Sequence, residues 1–150
     1  MNKIDKSDFH RLLHKLTADP RTRRMKSFIH HGRITTYDHC MSVARMSFAL
    51  GRLLHICIHE EDLVRGAFLH DYFLYDWHNY KGPLHGIHHA DTALKNAIRD
   101  FPLNKREQNI IKSHMWPLTL RSLPASREAL IVCLVDKIVS TKETLFERRR

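Results

Sequence analysis

The sequence is poor in cysteine, has no long apolar run and shows no alternating strand pattern. Three cysteines, Cys40, Cys57 and Cys133, have no CxxC spacing among them, which excludes a thiolate-rich structural zinc site. Each sits in an apolar context, so they read as reduced core thiols of a cytoplasmic protein. The longest clean apolar run, Ala129 to Val135, is far too short to cross a bilayer, so no membrane role is expected. The start, Met1-Asn2-Lys3-Ile4-Asp5-Lys6, lacks the apolar core of a signal peptide. Aromatics are not interleaved with the basic residues in the way base stacking requires. With no strand pattern and no internal repeat, the fold class is all-α, with six or seven helices.

What is present suits one globular domain spanning residues 1–150, its core about 31–144 and an N-terminal helix within 1–20. Hydrophobic content is 43% and charged content 27%, as in soluble proteins. The net charge is +9 with histidines neutral, with basic clusters at Arg21 to Lys26 and Arg148 to Arg150. Such clusters are either a solvated surface or an attraction for polyanions, nucleotides or nucleic acid, and charge alone does not choose. The odd feature is 13 histidines in 150 residues.

Helical periodicity sorts them. Ser7 reads as the cap of a first helix with Phe9, Leu12, Leu13 and Leu16 inward, and His10 and His14 on the surface. A second short helix is expected from Arg21 to His31, with Gly32 as its stop and His30 and His31 in its last turn. Thr35 to Asp38 has capping-box form, opening a long helix from Tyr37 to His55. His39, Val43, Met46, Leu50 and Leu53 form one apolar stripe on it, and Tyr37, Met41, Ala44 and Phe48 another. The next helix runs from about His59 to Tyr72. Leu63, Ala67 and His70 are spaced i, i+4, i+7, as are Val64, Phe68 and Asp71. An aromatic loop from Phe73 to Ile87 follows, with a turn at Gly82-Pro83, and reads as a site wall or lid. On a helix from His88 to Asp100, His89 shares the small apolar face of Ala93 and Ala97, whereas His88 faces solvent with Thr92, Lys95 and Arg99. Asn104 and Glu107 form a second capping box, and His114 lies on the stripe of Ile110 and Ile111 before Trp116-Pro117. The last helix runs from the cap Ser126 to about Phe146. Asp136 sits in its apolar middle, where an unpaired carboxylate is costly and needs a cation or donors.

His39, His70, Asp71, His89, His114 and Asp136 are thus the inward ionisable residues, from five helical segments. Four imidazoles and two carboxylates suit one or two divalent cations such as Fe, Mn, Zn or Co.

The order His39, then His70-Asp71, then Asp136 across helices resembles the HD-domain superfamily of metal-dependent phosphohydrolases. His89 and His114 match the two further histidines of members that hold two metals. The resemblance runs from about His31 to Thr144. The segments from His85 to Ala97 and from Ser113 to Leu118 look like a small bacterial group of HD-domain proteins. It implies hydrolysis of a phosphomonoester or phosphodiester, a nucleotide in the first place, by a metal-activated water, with His70 and Asp71 at the catalytic centre. Asp71 is the natural bridge of a dinuclear site. The pair is followed by Tyr72-Phe73-Leu74 rather than Ile-Gly-Lys, so no catalytic lysine is carried over there. No Gly-Tyr-Pro signature follows the histidines, which argues against a cyclic-di-GMP phosphodiesterase. No Glu-Asp pair follows Asp71 closely, which argues against a (p)ppGpp hydrolase. Lys81, Lys112 and Lys137 are candidates for stabilising phosphate charge, and Asp76 or a ligand-shell histidine for protonating the leaving oxygen. The rival expectations are a non-catalytic nucleotide or metal sensor and a nucleic-acid-binding helical module.

Overall fold

The computed structural model describes residues 3–76 and 85–147. Within them the chain forms α1 (Lys3–Ala18), α2 (Pro20–Arg23), a 3-10 turn (Arg24–Ser27) and a hairpin of β1 (Ile29–His31) and β2 (Ile34–Thr35). Then come α3 (Thr36–Leu53), α4 (Glu60–Leu69), α5 (His85–Asp100), α6 (Lys105–Ser113) and α7 (Arg127–Glu147). The fold is all-α, the two-stranded antiparallel hairpin being a small addition.

The helix starts follow from local chemistry. Pro20 occupies the first turn of α2, where its missing N–H costs nothing, and Asp19 caps that turn. Thr35 caps α3 by accepting from the Asp38 amide. Asn104 and Glu107 form a reciprocal capping box on α6. The Ala129 amide donates to Ser126 Oγ at 3.1 Å at the start of α7. These caps satisfy amides that have no partner inside their own helix.

Helix α3 is central, packed on α4 and α7, while α6 lies against α4, α5 and α7. The core between them contains Val43, Ala44, Phe48, Leu63, Val64, Phe68, Ile110, Ile111, Val132 and Val135, all fully buried but for traces. Phe9, Leu13 and Leu16 of α1 extend it at one end. Where α4 meets α6 the backbone itself is in contact. A Cβ at Gly66 would lie 2.8–2.9 Å from three side-chain carbons of Ile110.

Several expectations are corrected. Helix α1 begins at Lys3, so Ser7 is inside it and not its cap. The span Arg21 to His31 is not one helix. Gly32 adopts φ 55°, a conformation that serves a hairpin turn as well as a helix stop, and the β-branched Ile34 and Thr35 behind it supply the second strand. Helix α4 ends at Leu69, three residues early, which leaves His70 as its cap and Asp71 in the turn beyond. The stripe on α3 does not hold throughout: Met46 is 36% and Leu53, the last residue of the helix, 71% exposed, although Leu50 between them packs on the core. Cys40 and Cys133 are buried but Cys57 is exposed. It lies in an extended link between Ile56 and Ile58, which pack on the core, so its side chain points the other way. The Gly82-Pro83 turn, Lys81, Trp77, Tyr80 and the basic tail Arg148 to Arg150 lie outside the described residues.

Gly66→Ala is expected to destabilise the fold by about 1–2 kcal/mol. Overpacking against Ile110 costs roughly 1–3 kcal/mol, and the better helix propensity of alanine returns up to about 1. A urea midpoint unchanged or raised would show that α4 and α6 move apart freely.

Candidate metal centre

The site is assembled at helix ends and on α7. His70 caps the C-terminus of α4 and His114 that of α6. Carbonyls there lack helical partners. Each ring turns its Nδ1–H onto the carbonyl three residues back, Ala67 and Ile111 respectively, at 2.7 Å. That bond fixes the tautomer and leaves Nε2 bare and aimed inward. His39 lies in the first turn of α3, His89 on the inner face of α5, and Asp136 midway along α7.

All six sequence-derived residues converge. Asp71 Oδ2 lies 3.4 Å from His70 Nε2 and 3.9 Å from His39 Nε2. Asp71 Oδ1 faces the other way, 3.3 Å from His89 Nε2 and 3.4 Å from His114 Nε2. Asp136 Oδ1 is 3.2 Å from His39 Nε2 and 3.6 Å from His70 Nε2. His89 is buried and His88 exposed, as the helix face requires.

Two residues escaped the sequence reading. His30, expected at a helix end, is instead carried in by the hairpin. Its Nε2 lies 3.0 Å from Asp71 Oδ2, and its ring stacks on His39 at 3.8 Å. Glu143 Oε2 accepts from His39 Nδ1 at 2.9 Å. The doublet His30-His31 beside a turn glycine was the available signal for the first. The i, i+7 spacing of Asp136 and Glu143 was the signal for the second.

A cavity of about 190 Å³ opens over this cluster. Asp71, Asp136, His89 and His114 line it, with His30, His31 and Ser140 at its polar side and Phe73 and Met115 at its apolar side. His39 and His70, both fully buried, lie beneath. Among the described residues no lysine or arginine lines this cavity. Lys112 lines a different pocket, and Lys137 spends its ammonium on the carbonyls of His114 and Cys133 at 3.1 Å. Asp76 is exposed and is not among the described residues that line the cavity. Lys112 and Lys137 thus fall as candidates, and Lys81 lies outside the described residues.

The electrostatics set carboxylates and imidazoles against burial. Burial works against the charge of Asp71 and of Asp136, yet the neighbouring imidazoles outweigh it and hold both carboxyls well below the usual range. Burial pulls His39 and His70 down, but the surrounding carboxylates win and raise both. His30 and His114, where burial wins, fall to about 4 and about 3. Despite this crowding His39 Nε2, His70 Nε2 and Asp71 Oδ1 have no hydrogen-bond partner. His89 Nε2 and His114 Nε2 stand 2.8 Å apart, where two bare lone pairs would repel without a proton or cation between them. Three groups have ligand atoms within 4.8 Å of one another and could hold a metal ion: His30, His39 and Glu143; His39, His70 and Asp136; and His70, Asp71 and His114.

A family model described as HD domain matches residues 36–140. Comparison with curated proteins and with solved structures finds no match.

The shifts set the acid and base limits of the protein stripped of metal. His30 and His114 stay neutral when folded, so below pH 6.5 the unfolded chain takes up more protons and their contribution is lost as pH falls. His39 and His70 are shifted up, so their contribution is complete below 6.5 and lost as pH rises through the folded values. Stability should peak near 6.5 and fall on both sides, by up to about 1.4 kcal/mol per pH unit for each imidazole. Urea midpoints at about pH 5, 6.5 and 8 test this, and His114→Gln should flatten the acid side alone.

Proposed function

The chain belongs to the HD-domain family, and from that premise we propose that it is a metal-dependent phosphohydrolase acting on a phosphomonoester or phosphodiester, a nucleotide in the first place. HD domains bind divalent metals, and the donor set here fits one. The observation that carries the reading is the convergence of four imidazoles and two carboxylates with three buried donor atoms left without partners.

His39, His70, Asp71 and Asp136 would hold one cation. Asp71, His89 and His114 would hold a second, with Asp71 shared through its two oxygens, which already face the two groups separately. A divalent metal bound there supplies Lewis acidity, lowering the pKa of a water and offsetting charge on a phosphate. The protein supplies the rest. His30 donates to Asp71 Oδ2, and Ser140 Oγ donates to Asp136 Oδ1 at 3.2 Å, so both carboxylates are held in orientation. Phe73 packs edge-on to His89 at 6.0 Å and, with Met115, adds apolar surface to the cavity wall. Among the described residues the cavity walls contain no lysine or arginine, and a divalent metal would supply positive charge for a phosphoryl group.

The nucleotide is favoured by the net charge of +9, which draws polyanions, and by a cavity of about 190 Å³, which suits a phosphate-bearing end rather than a duplex. No helix among the described residues is long and apolar enough to cross a membrane. The three unpaired cysteines support a cytoplasmic setting.

Reconstituted protein should bind two equivalents of metal, and His89→Ala and His114→Ala about one each. One equivalent in all three would refute the dinuclear site. A screen of nucleotides and generic phosphoesters with Mn, Fe, Co or Zn should find turnover that Asp71→Asn lowers by more than about 100-fold. Metal and nucleotide binding without turnover would point instead to a sensor domain.

A further inference from the structure

The buried imidazoles differ in how their outer nitrogen is held. His70 and His114 sit at helix C-termini and use spare carbonyls. His39 has no such acceptor. It stands in the first turn of α3, where the spare backbone groups are N–H donors. Its Nδ1 instead meets the Glu143 carboxylate at 2.9 Å, across 104 residues of sequence. His39 is fully buried and Glu143 is 8% exposed. Glu143 follows Asp136 at i, i+7, two turns along α7, so both carboxylates project from one face. They bracket the ring, with Asp136 Oδ1 3.2 Å from Nε2 and Glu143 at Nδ1. The His30 ring, stacked at 3.8 Å and 10°, confines its flat face.

We propose that Glu143 is a positioning residue of the metal centre. It accepts the Nδ1–H of His39, fixes the tautomer, and aims Nε2 at the position shared with His70 and Asp136. A carboxylate acceptor also makes the imidazole a stronger ligand than a carbonyl does. This rests on the metal-centre reading above, and Glu143 lies beyond the span matched by the family model.

The test compares the parent, Glu143→Ala and Glu143→Gln. Two readouts are taken: the zinc dissociation constant by chelator competition, and the imidazole ¹H–¹⁵N spectrum of the zinc-loaded proteins. Glu143→Ala should bind zinc roughly 10- to 100-fold more weakly and lose the slowly exchanging Nδ1 proton of His39. Glu143→Gln, whose amide oxygen still accepts, should keep that proton and lose less affinity. Unchanged affinity in Glu143→Ala, or equal loss in both variants, would overturn the proposal. If Glu143→Ala does not fold, Glu143→Gln decides: a retained proton supports the role and a lost one refutes it. A parent that binds no zinc would overturn the metal-centre reading and this proposal with it, whereas a binding parent with indifferent variants overturns only the role of Glu143.

Discussion

A buried carboxylate is costly unless opposite charge or donors meet it, and this protein buries Asp71, Asp136 and Glu143 in one place, none more than 8% exposed. Elsewhere the chain settles such debts with guanidinium groups: Arg65 pairs with buried Glu107, and Arg106 with buried Glu128. At the centre imidazoles surround the carboxylates, with Ser140 adding a hydroxyl donor to Asp136. The difference matters chemically. Arginine neutralises a carboxylate permanently. An imidazolium can release its proton, expose a lone pair and let a metal ion take over the positive charge. The carboxylates hold His39 and His70 above the usual imidazole range and the imidazoles hold Asp71 and Asp136 below the usual carboxylate range, so each set favours the charge of the other.

The helices deliver these groups through their ends. An imidazole just past a helix C-terminus finds a loose carbonyl for Nδ1 and is thereby aimed, as at His70 and His114. Ending α4 at Leu69 places His70 and Asp71 outside the regular helix, which frees the two adjacent side chains to reach one point. Tight packing fixes where those ends lie. Gly66 against Ile110 sets the approach of α4 to α6, and hence the distance between His70 and His114, whose ring centroids are 4.8 Å apart.

Most of the helical frame was legible, because caps at Thr35, Asn104 and Ser126 and the apolar stripes state it locally. The inward histidines were legible for the same reason: His89 and His88 differ only in face, and face follows from period. What escaped was non-local. His30 reaches Asp71 only because a hairpin folds it over α3, and a turn glycine reads alike at a helix stop and a hairpin. Glu143 lies near the end of α7 among polar residues, where an acidic side chain looks solvated. Its partner is 104 residues away. Cys57 was misplaced because an apolar context does not say which way a side chain in a link points: Ile56 and Ile58 turn to the core and Cys57 does not.

The two oxygens of Asp71 divide the centre unequally. On the Oδ2 side stand His30, His39 and His70, with Asp136 closing the ring. On the Oδ1 side, among the described residues, stand His89 and His114. Both sides reach the cavity, His30 and Asp136 from the first and His89 and His114 from the second, while His39 and His70 lie beneath. On the proposed reading a cation on the Oδ2 side would find its side-chain donors already assembled. One on the Oδ1 side would have three, and divalent ions of this class commonly take more. The further donors there would have to come from solvent or from phosphate oxygens, so on that reading the poorer side is the one where a substrate oxygen has room to bind.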